Sequence, residues 1–193
     1  MTVPTLLVVG AGGHGRSVAD AALSSGRWKR VVFADDRWPA LSSCQGFEVI
    51  SDVVGLFDLP IMVQGAIAAV GDNVRREAWC KYIEQSRIPL VSVVHPRAFV
   101  SDSATIGSGC AIMPGAIVGT SASLGRAVIV NAGAIVDHDV TLADFAHIGV
   151  GVALAGGVHV GSRGWLQAGV SAGYGVVVAD GAVVEPGIAL SAL

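Results

Sequence analysis

From Val94 to Leu190 an aliphatic or small apolar residue recurs at every sixth position, through Val100, Ile106, Ile112, Val118 and Leu124, without a slip of phase. Four residues after each comes a small or slim side chain, as at Ala98, Ala104, Cys110, Ala116 and Ala134. That slot and the next apolar position are two apart, so in a short strand both point to one face. The two residues after each apolar position then turn the chain, which suits the recurring Gly, Asp and Ser. Six residues are too few for a strand, a crossover and a return. They suffice for one side of a coil, and three such sides make a coil of about eighteen residues around a shared dry centre. The hexads between Val94 and Ala189 therefore predict a parallel β-helix of about five coils.

This pattern accounts for an apolar content of 52% and a mean hydropathy of +0.65, values that otherwise raise the question of a membrane protein. Residues 103–125 carry no charge. They are rich in Gly, Ser, Thr and Pro on a six-residue period, which a lipid-facing helix of about 20 residues would not be. The N-terminus lacks the basic segment of a signal peptide, and its apolar run Leu6–Val9 is short. Cys44, Cys80 and Cys110 are scattered, without disulfide or metal spacing. A cytoplasmic protein with no membrane partner is the expectation. A net charge of −3 without a basic cluster argues against nucleic acid.

The first third is built differently. Leu6–Val9 reads as a buried strand, followed at once by Gly10-Ala11-Gly12-Gly13-His14-Gly15. A helical pattern runs from about Arg16 to Ser25 and stops at Gly26. Val31–Asp36 is a second strand with carboxylates at its carboxyl end. Strand, glycine turn, helix, and strand ending in acid make a nucleotide-binding βαβ unit. Gly10 permits the tight turn, Gly12 lets a phosphate approach the backbone, and Gly15 allows close helix–strand packing. A purely structural glycine turn is the alternative. The β-helix leaves room for one nucleotide-binding half and a fragment, so a mononucleotide suits this unit better than NAD. Leu41–Pro60 reads as loop-rich, and Gly65–Val70 as a third strand ending in Gly71-Asp72-Asn73. Asp72 is expected to cap a helix over Val74–Gln85, and Leu90–Val94 to form a last strand. The domain boundary falls near residue 90: residues 1–90 form an α/β half-Rossmann domain, and residues 91–193 the all-β helix.

The glycine loop, Phe33-Ala34-Asp35-Asp36, Gly71-Asp72-Asn73, the run from Asn131 to Asp139, His147 and Leu154-Ala155-Gly156-Gly157 together resemble a known family. It comprises the bacterial hexapeptide-repeat acetyltransferases that act on nucleotide-linked 4-amino-4,6-dideoxy sugars, with the sialic acid O-acetyltransferases as relatives. The match spans nearly the whole chain. The resemblance implies a left-handed β-helix, a homotrimer, and acetyl-CoA held between adjacent β-helices, with no metal. It assigns His138 as general base, oriented by Asp139, and gives His147, Gly156 and Gly157 to the acetyl thioester. In the N-terminal domain it gives Gly10, Gly12, Gly13 and His14 to the pyrophosphate and Asp35 or Asp36 to the nucleoside; Gly71 and Asn73, at another strand's carboxyl end, are expected beside the glycine loop in a parallel sheet and so at the same substrate site.

Part of this follows from spacing alone. Gly156 stands one coil above His138, placing an ionisable imidazole beside a backbone open to close approach. His138 and His147 fall at outward positions of their hexads, which suits a site on an edge of the prism. Cys110 takes an inward slot and is expected to be inert. Trp165 lies one coil above His147, as a pocket wall or an interface residue. The resemblance also implies a Gly-x-Pro-Ala continuation with a basic residue to hold coenzyme A. After residue 100 the cations are Arg126 and Arg163, and Glu185-Pro186 replaces an expected glycine. A different grip on the adenine and 3′-phosphate is expected. Two alternatives to N-acetylation are sialic acid O-acetylation and a non-catalytic nucleotide-binding trimer. A zinc hydrolyase with His138, His147 and His159 as ligands is a third, more remote reading.

Overall fold

A computed structural model of the chain describes residues 3–58 and 63–192. The chain divides into two compact units, residues 1–93 and 94–193.

The first unit is a small α/β sheet. Strand β1 (Thr5–Val9) is fully buried and leads through the glycine loop into helix α1 (Gly13–Ser24). Then follow β2 (Arg30–Ala34), the short β3 (Ser43–Cys44), β4 (Phe47–Ser51), a 3₁₀ turn over Val54–Asp58, β5 (Gly65–Ala68) and helix α2 (Asn73–Gln85). The sheet order is β3-β4-β2-β1-β5, with β1 at the centre, parallel to both β2 and β5. A near-continuous run of aliphatics is what a strand buried on both faces requires.

Four expectations change here. Helix α1 starts at Gly13, not near Arg16, so His14 and Gly15 lie in its first turn. A hydrogen-bonding pattern takes in the glycines because no side chain opposes it, although their helix propensity is poor. Leu41–Pro60 is more than loop: β4 pairs parallel with β2, Phe33 opposite Val49, and β3 turns back on β4 as an antiparallel pair. Pro60 itself lies outside the described residues. Strand β5 ends at Ala68, and Leu90 makes one isolated bridge to Ala66 before a two-residue strand at Val93–Val94. The expected cap is present, with the Asp72 carboxylate accepting the Arg75 N–H at 2.8 Å.

The second unit is a three-faced parallel β-helix of two-residue strands. Face I holds the strands beginning at Ala111, Ile129, His147, Trp165 and Val183. Face II holds those at Phe99, Ile117, Ile135, Ala153, Ser171 and Ala189, and face III those at Thr105, Ser123, Thr141, His159 and Val177. Each strand pairs in register with its counterpart one coil on, as Ile117 with Ile135. The sixth-residue positions and the small slots line the interior together: Ile112, Val118, Val130, Val136, Ile148, Val160 and Leu166 are buried, as are Ala116, Val128, Ala134 and Ala146. Cys110 is fully buried among them and donates to the Gly125 carbonyl at 3.2 Å.

The turns differ in detail from the simple expectation. The left-handed residue is the third after each apolar position, from Gly109 to Gly187, and includes Ser121, Ala127, Asp139, Phe145 and Arg163. Glycines directly after the apolar position serve another purpose. A Cβ on Gly119 would lie 2.8 Å from the Asp137 carbonyl carbon and 3.0 Å from the His138 nitrogen of the next coil. Glycine stands there because stacked coils nearly touch, while the rotation of the chain is made two residues later.

Candidate active site

In the first unit, the carboxyl ends of β1, β2 and β5 open onto a cavity of about 360 Å³. Gly10, Gly12, Gly13 and His14 form one wall, Asp35, Asp36 and Arg37 a second, and Gly71, Arg75 and Trp79 a third. This is where a doubly wound sheet binds nucleotides, because helix N-termini and bare turn amides converge there. Gly10 has φ +111°, and a Cβ on it would come within 2.9 Å of the Ala69 carbonyl and 2.8 Å of the Trp79 ring. A Cβ on Gly15 would collide with the Gly10 carbonyl. Gly12 and Gly13 are different: nothing lies within 4 Å of a Cβ placed on either. The first and third glycines let chain segments pack, and the middle pair leaves open room for a ligand. Gly12 caps α1 without a side-chain hydrogen bond, which leaves the leading N–H groups of the helix for an anion.

Asp35 lines the cavity with its carboxylate already engaged. It is buried, and its carboxylate accepts the Ala11 N–H (2.7 Å), the Arg37 N–H (3.1 Å) and the Arg37 Nε and Nη2 (2.6 and 3.0 Å). Those four donors match the acceptor capacity of a carboxylate. The Arg37 guanidinium, outweighing burial, holds Asp35 at about 2, below the ordinary carboxylate range. Asp35 thus ties the glycine loop to β2 and aims Arg37, while Asp36 is exposed at the cavity wall.

Asn73 does not line the cavity. It opens α2 and accepts Arg76 Nη2 at 2.8 Å. Arg76 is fully buried, and its Nη1 also donates to the carbonyls of Val70 (3.0 Å) and Gly71 (3.3 Å). One guanidinium therefore sets the β5–α2 turn. Burial, reinforced by the charge of Arg76, pushes His14 down to about 4, so its imidazole is neutral at pH 7. Sequence reading missed Arg37, Arg75, Arg76 and Trp79. Their signal was cations and an aromatic just beyond the strand ends, which has no fixed spacing.

In the second unit, His138 stands on the edge between faces II and III. Its Nδ1 lies 2.8 Å from Asp139 Oδ2, and its N–H donates to Asp137 Oδ1 at 2.8 Å. Asp139 occupies the left-handed turn position with φ +60°, one that Asp tolerates better than most residues. The bonded Asp139 carboxylate, then the charge of Asp137, raise His138 above the usual histidine range. One coil above, Gly156 lies beneath the ring: a Cβ there would overlap Cε1 and Nε2. Gly157 N–H binds the His138 carbonyl at 3.0 Å. Among the described residues, Gly156 N–H makes no hydrogen bond. With Nδ1 donating to Asp139, Nε2 carries the lone pair and lies against the bare α-carbon of Gly156. An imidazole so placed can accept a proton, and a free backbone N–H can hold a developing negative charge.

His147 is not on that edge. It begins a strand of face I, the face opposite the edge carrying His138, and its ring is buried, stacked on Trp165 at 5.5 Å with an 8° interplanar angle. Position within the hexad shows only that a residue points outward; which side of the prism it leaves depends on which of the three hexads it belongs to. His159 lies exposed on face III. Among the described residues, no group of three or more His, Cys, Asp or Glu side chains is placed to hold a metal ion. No described helix is long and apolar enough to cross a membrane.

The chain matches known proteins over both units. The family model described as PglD N-terminal domain covers residues 5–83. The acetyltransferase domain of PglB from Neisseria gonorrhoeae, solved with acetyl coenzyme A, is 34% identical over 94% of this chain and 95% of that one, with a TM-score of 0.80. PerB from Caulobacter crescentus, solved with CoA and GDP-perosamine, is 31% identical over 97% and 92%, with a TM-score of 0.84. A GDP-perosamine N-acetyltransferase from the same organism, with one histidine changed to alanine and CoA and GDP-perosamine bound, matches at 30% over 97% and 91%, TM-score 0.83. No curated protein sequence matches. The α/β unit followed by a left-handed β-helix is the fold of this group, and the chain belongs to the hexapeptide-repeat family of bacterial nucleotide-sugar N-acetyltransferases, as an acetyltransferase that uses acetyl-CoA.

Proposed function

We propose that the protein transfers acetyl from acetyl-CoA to the 4-amino group of a nucleotide-linked 4-amino-4,6-dideoxy sugar, with His138 as general base. The observation that carries this reading is the His138 imidazole, bonded to Asp139 at Nδ1 and resting over the bare backbone of Gly156. His138 Nε2 takes a proton from the sugar ammonium or from the amine as it attacks. The amine nitrogen bonds to the thioester carbon, whose oxygen gathers negative charge at the Gly156 N–H. Collapse breaks the carbon–sulfur bond, and coenzyme A leaves as a thiolate that accepts the proton. Base and oxyanion donor contribute typically about 10²–10⁴-fold each. Asp139 fixes the tautomer and stabilises the imidazolium.

The cavity of the first unit takes the nucleotide. Its pyrophosphate meets the Gly12–Gly13 turn, the start of α1 and the cations Arg37 and Arg75. Neutral His14 contributes as a hydrogen-bonding group rather than a charge, and Asp36 is the free carboxylate for ribose or base. Support comes from PerB, solved with CoA and GDP-perosamine. His138 and His147 leave opposite sides of the prism, so a site using both draws His147 from a second copy, consistent with a homotrimer. The product would feed surface polysaccharide synthesis from the cytoplasm.

The test is thiol release from acetyl-CoA with UDP-, dTDP- and GDP-linked 4-amino-4,6-dideoxy sugars and CMP-sialic acid, for the native protein and His138→Ala. Release with one amino sugar, reduced at least 100-fold in the variant, is expected. Release only with CMP-sialic acid, or undiminished in the variant, overturns the assignment.

A further inference from the structure

The edge carrying His138 presents one residue per coil at the same turn position, running Asp102, Thr120, His138, Gly156, Tyr174. The hydrogen bond to Asp139 does not by itself fix the imidazole. The His138 side chain is 49% exposed and that of Asp139 65%, so the bonded pair can swing together without breaking its hydrogen bond. Gly156 limits the ring on one side. A further contact comes from Tyr174, two coils above. Stacked strands are about 4.8 Å apart, which puts the two backbones about 10 Å apart. A contact across that distance needs a long side chain folded back along the edge. Tyr174 is folded so: a Cβ on Gly157 would meet its phenol end at 3.8–3.9 Å, and the ring therefore lies along the bare backbone of the intervening coil. Its centroid is 6.5 Å from that of His138, with the planes tilted by 45°. This is a direct ring–ring contact, within the 4.5–7 Å over which aromatic pairs attract. The two glycines of the intervening coil are what let rings two coils apart meet.

Tyr174 remains 73% exposed, so it adds little to the core of the solenoid. Among the described residues its hydroxyl makes no hydrogen bond. The contact belongs to the ring. We propose that Tyr174 is a positioning residue for the general base: its ring packs against the imidazole of His138 and, with Asp139 at Nδ1 and Gly156 beneath, keeps Nε2 aimed at the acceptor nitrogen. This inference rests on the reading of His138 as base. Proton transfer needs Nε2 within about 2.6–3.2 Å of the nitrogen that gives up its proton. A misplacement of about 1 Å in such a group can cost about 10²-fold, so a restraint on an exposed imidazole bears directly on kcat.

The experiment measures kcat and both KM values, with acetyl-CoA and the sugar nucleotide that the native protein accepts. It compares the full chain, Tyr174→Phe, Tyr174→Leu, His138→Ala and the double variant His138→Ala/Tyr174→Leu. Tyr174→Phe keeps the ring and is expected to stay within about twofold of the native protein. Tyr174→Leu is expected to lose about tenfold in kcat, with both KM values nearly unchanged. On the His138→Ala background Tyr174→Leu should cost nothing more, because a residue that acts through the imidazole is silent once the imidazole is gone. A raised KM for acetyl-CoA at native kcat, an equal loss in Tyr174→Phe, or a further loss in the double variant overturns the assignment. Native kcat in Tyr174→Leu beside a loss of at least 100-fold in His138→Ala overturns the role of Tyr174 alone. A native rate in His138→Ala overturns the base and the role together. If no sugar nucleotide is turned over, the reading of the function fails, and the NMR signal of the His138 Cε1–H still decides the contact. A ring-current shift lost in Tyr174→Leu and kept in Tyr174→Phe supports the packing, and an unmoved signal overturns it.

Discussion

The imidazole of His138 lies over the α-carbon of Gly156, one coil further along, so closely that a methyl group there would overlap Cε1 and Nε2. Gly156→Ala must displace the ring from the position set by Asp139, while the interior of the solenoid is untouched. The variant is expected to keep its melting temperature and lose at least 100-fold in kcat/KM, about 2.7 kcal/mol of transition-state stabilisation. Steady-state kinetics beside a thermal melt checks this, and near-native activity would refute the stacked arrangement.

A raised His138 has a direct kinetic consequence. The base acts only when neutral, so kcat/KM should rise with pH through a limb lying above the ordinary histidine value. Asp139→Asn keeps a residue that accepts the left-handed turn and removes the carboxylate that does most of the raising. Its limb should move to lower pH, with a lower plateau because the imidazolium loses its partner. A limb that stays in place would assign the ionisation to another group.

Asp35 should reveal itself in acid. Its folded pKa, about 2, is below the ordinary 3.8, so its contribution is complete above about pH 4 and is lost as pH falls toward 2. With Arg37 largely exposed, that contribution is about 1–2 kcal/mol. Asp35→Asn should be less stable by about this amount at pH 7, and the gap should close in acid. Denaturant melts of both proteins at pH 7, 4 and 3 measure it. The same variant should raise KM for the sugar nucleotide, because the Ala11 N–H and Arg37 lose their common acceptor.

Arg76→Met replaces a buried guanidinium by a side chain of similar length that offers no donors. The carbonyls of Val70 and Gly71 and the Asn73 amide oxygen, all partly exposed, would each lose a charged donor, and a hydrogen bond to a charged group is worth about 1.5–3 kcal/mol before that exposure is discounted. A loss of about 2 kcal/mol or more is expected by chemical denaturation. Nucleotide affinity should fall with it, since Gly71 lines the cavity. An unchanged stability would mean that the turn is held by its backbone alone.

Much of this architecture can be read from the residues in order. The six-residue beat names the interior side chains one by one, and Ile112, Val118, Val130 and Leu166 are all buried as it requires. The glycine loop likewise announces a βαβ unit, because Gly10 and Gly15 are demanded by local clashes with neighbouring backbone. Asp72 as a cap follows from three residues of chain. The vertical neighbours His138 and Gly156 also follow, since a regular coil converts sequence distance into height. Tyr174 was within reach of the same arithmetic, two coils above His138.

What the residues alone determined is periodic or local: side-chain direction alternates along a strand, coils repeat, and a cap acts within one turn. What only the tertiary structure decided lies in contacts whose spacing is not periodic. Asp35, in the cavity wall, is held by Ala11 and Arg37, Arg76 fastens the turn after β5, and β4 joins the sheet beside β2. In each case the energy comes from groups brought together by folding, through hydrogen bonds whose partners are chosen by proximity in space, and no pattern along the chain encodes that choice.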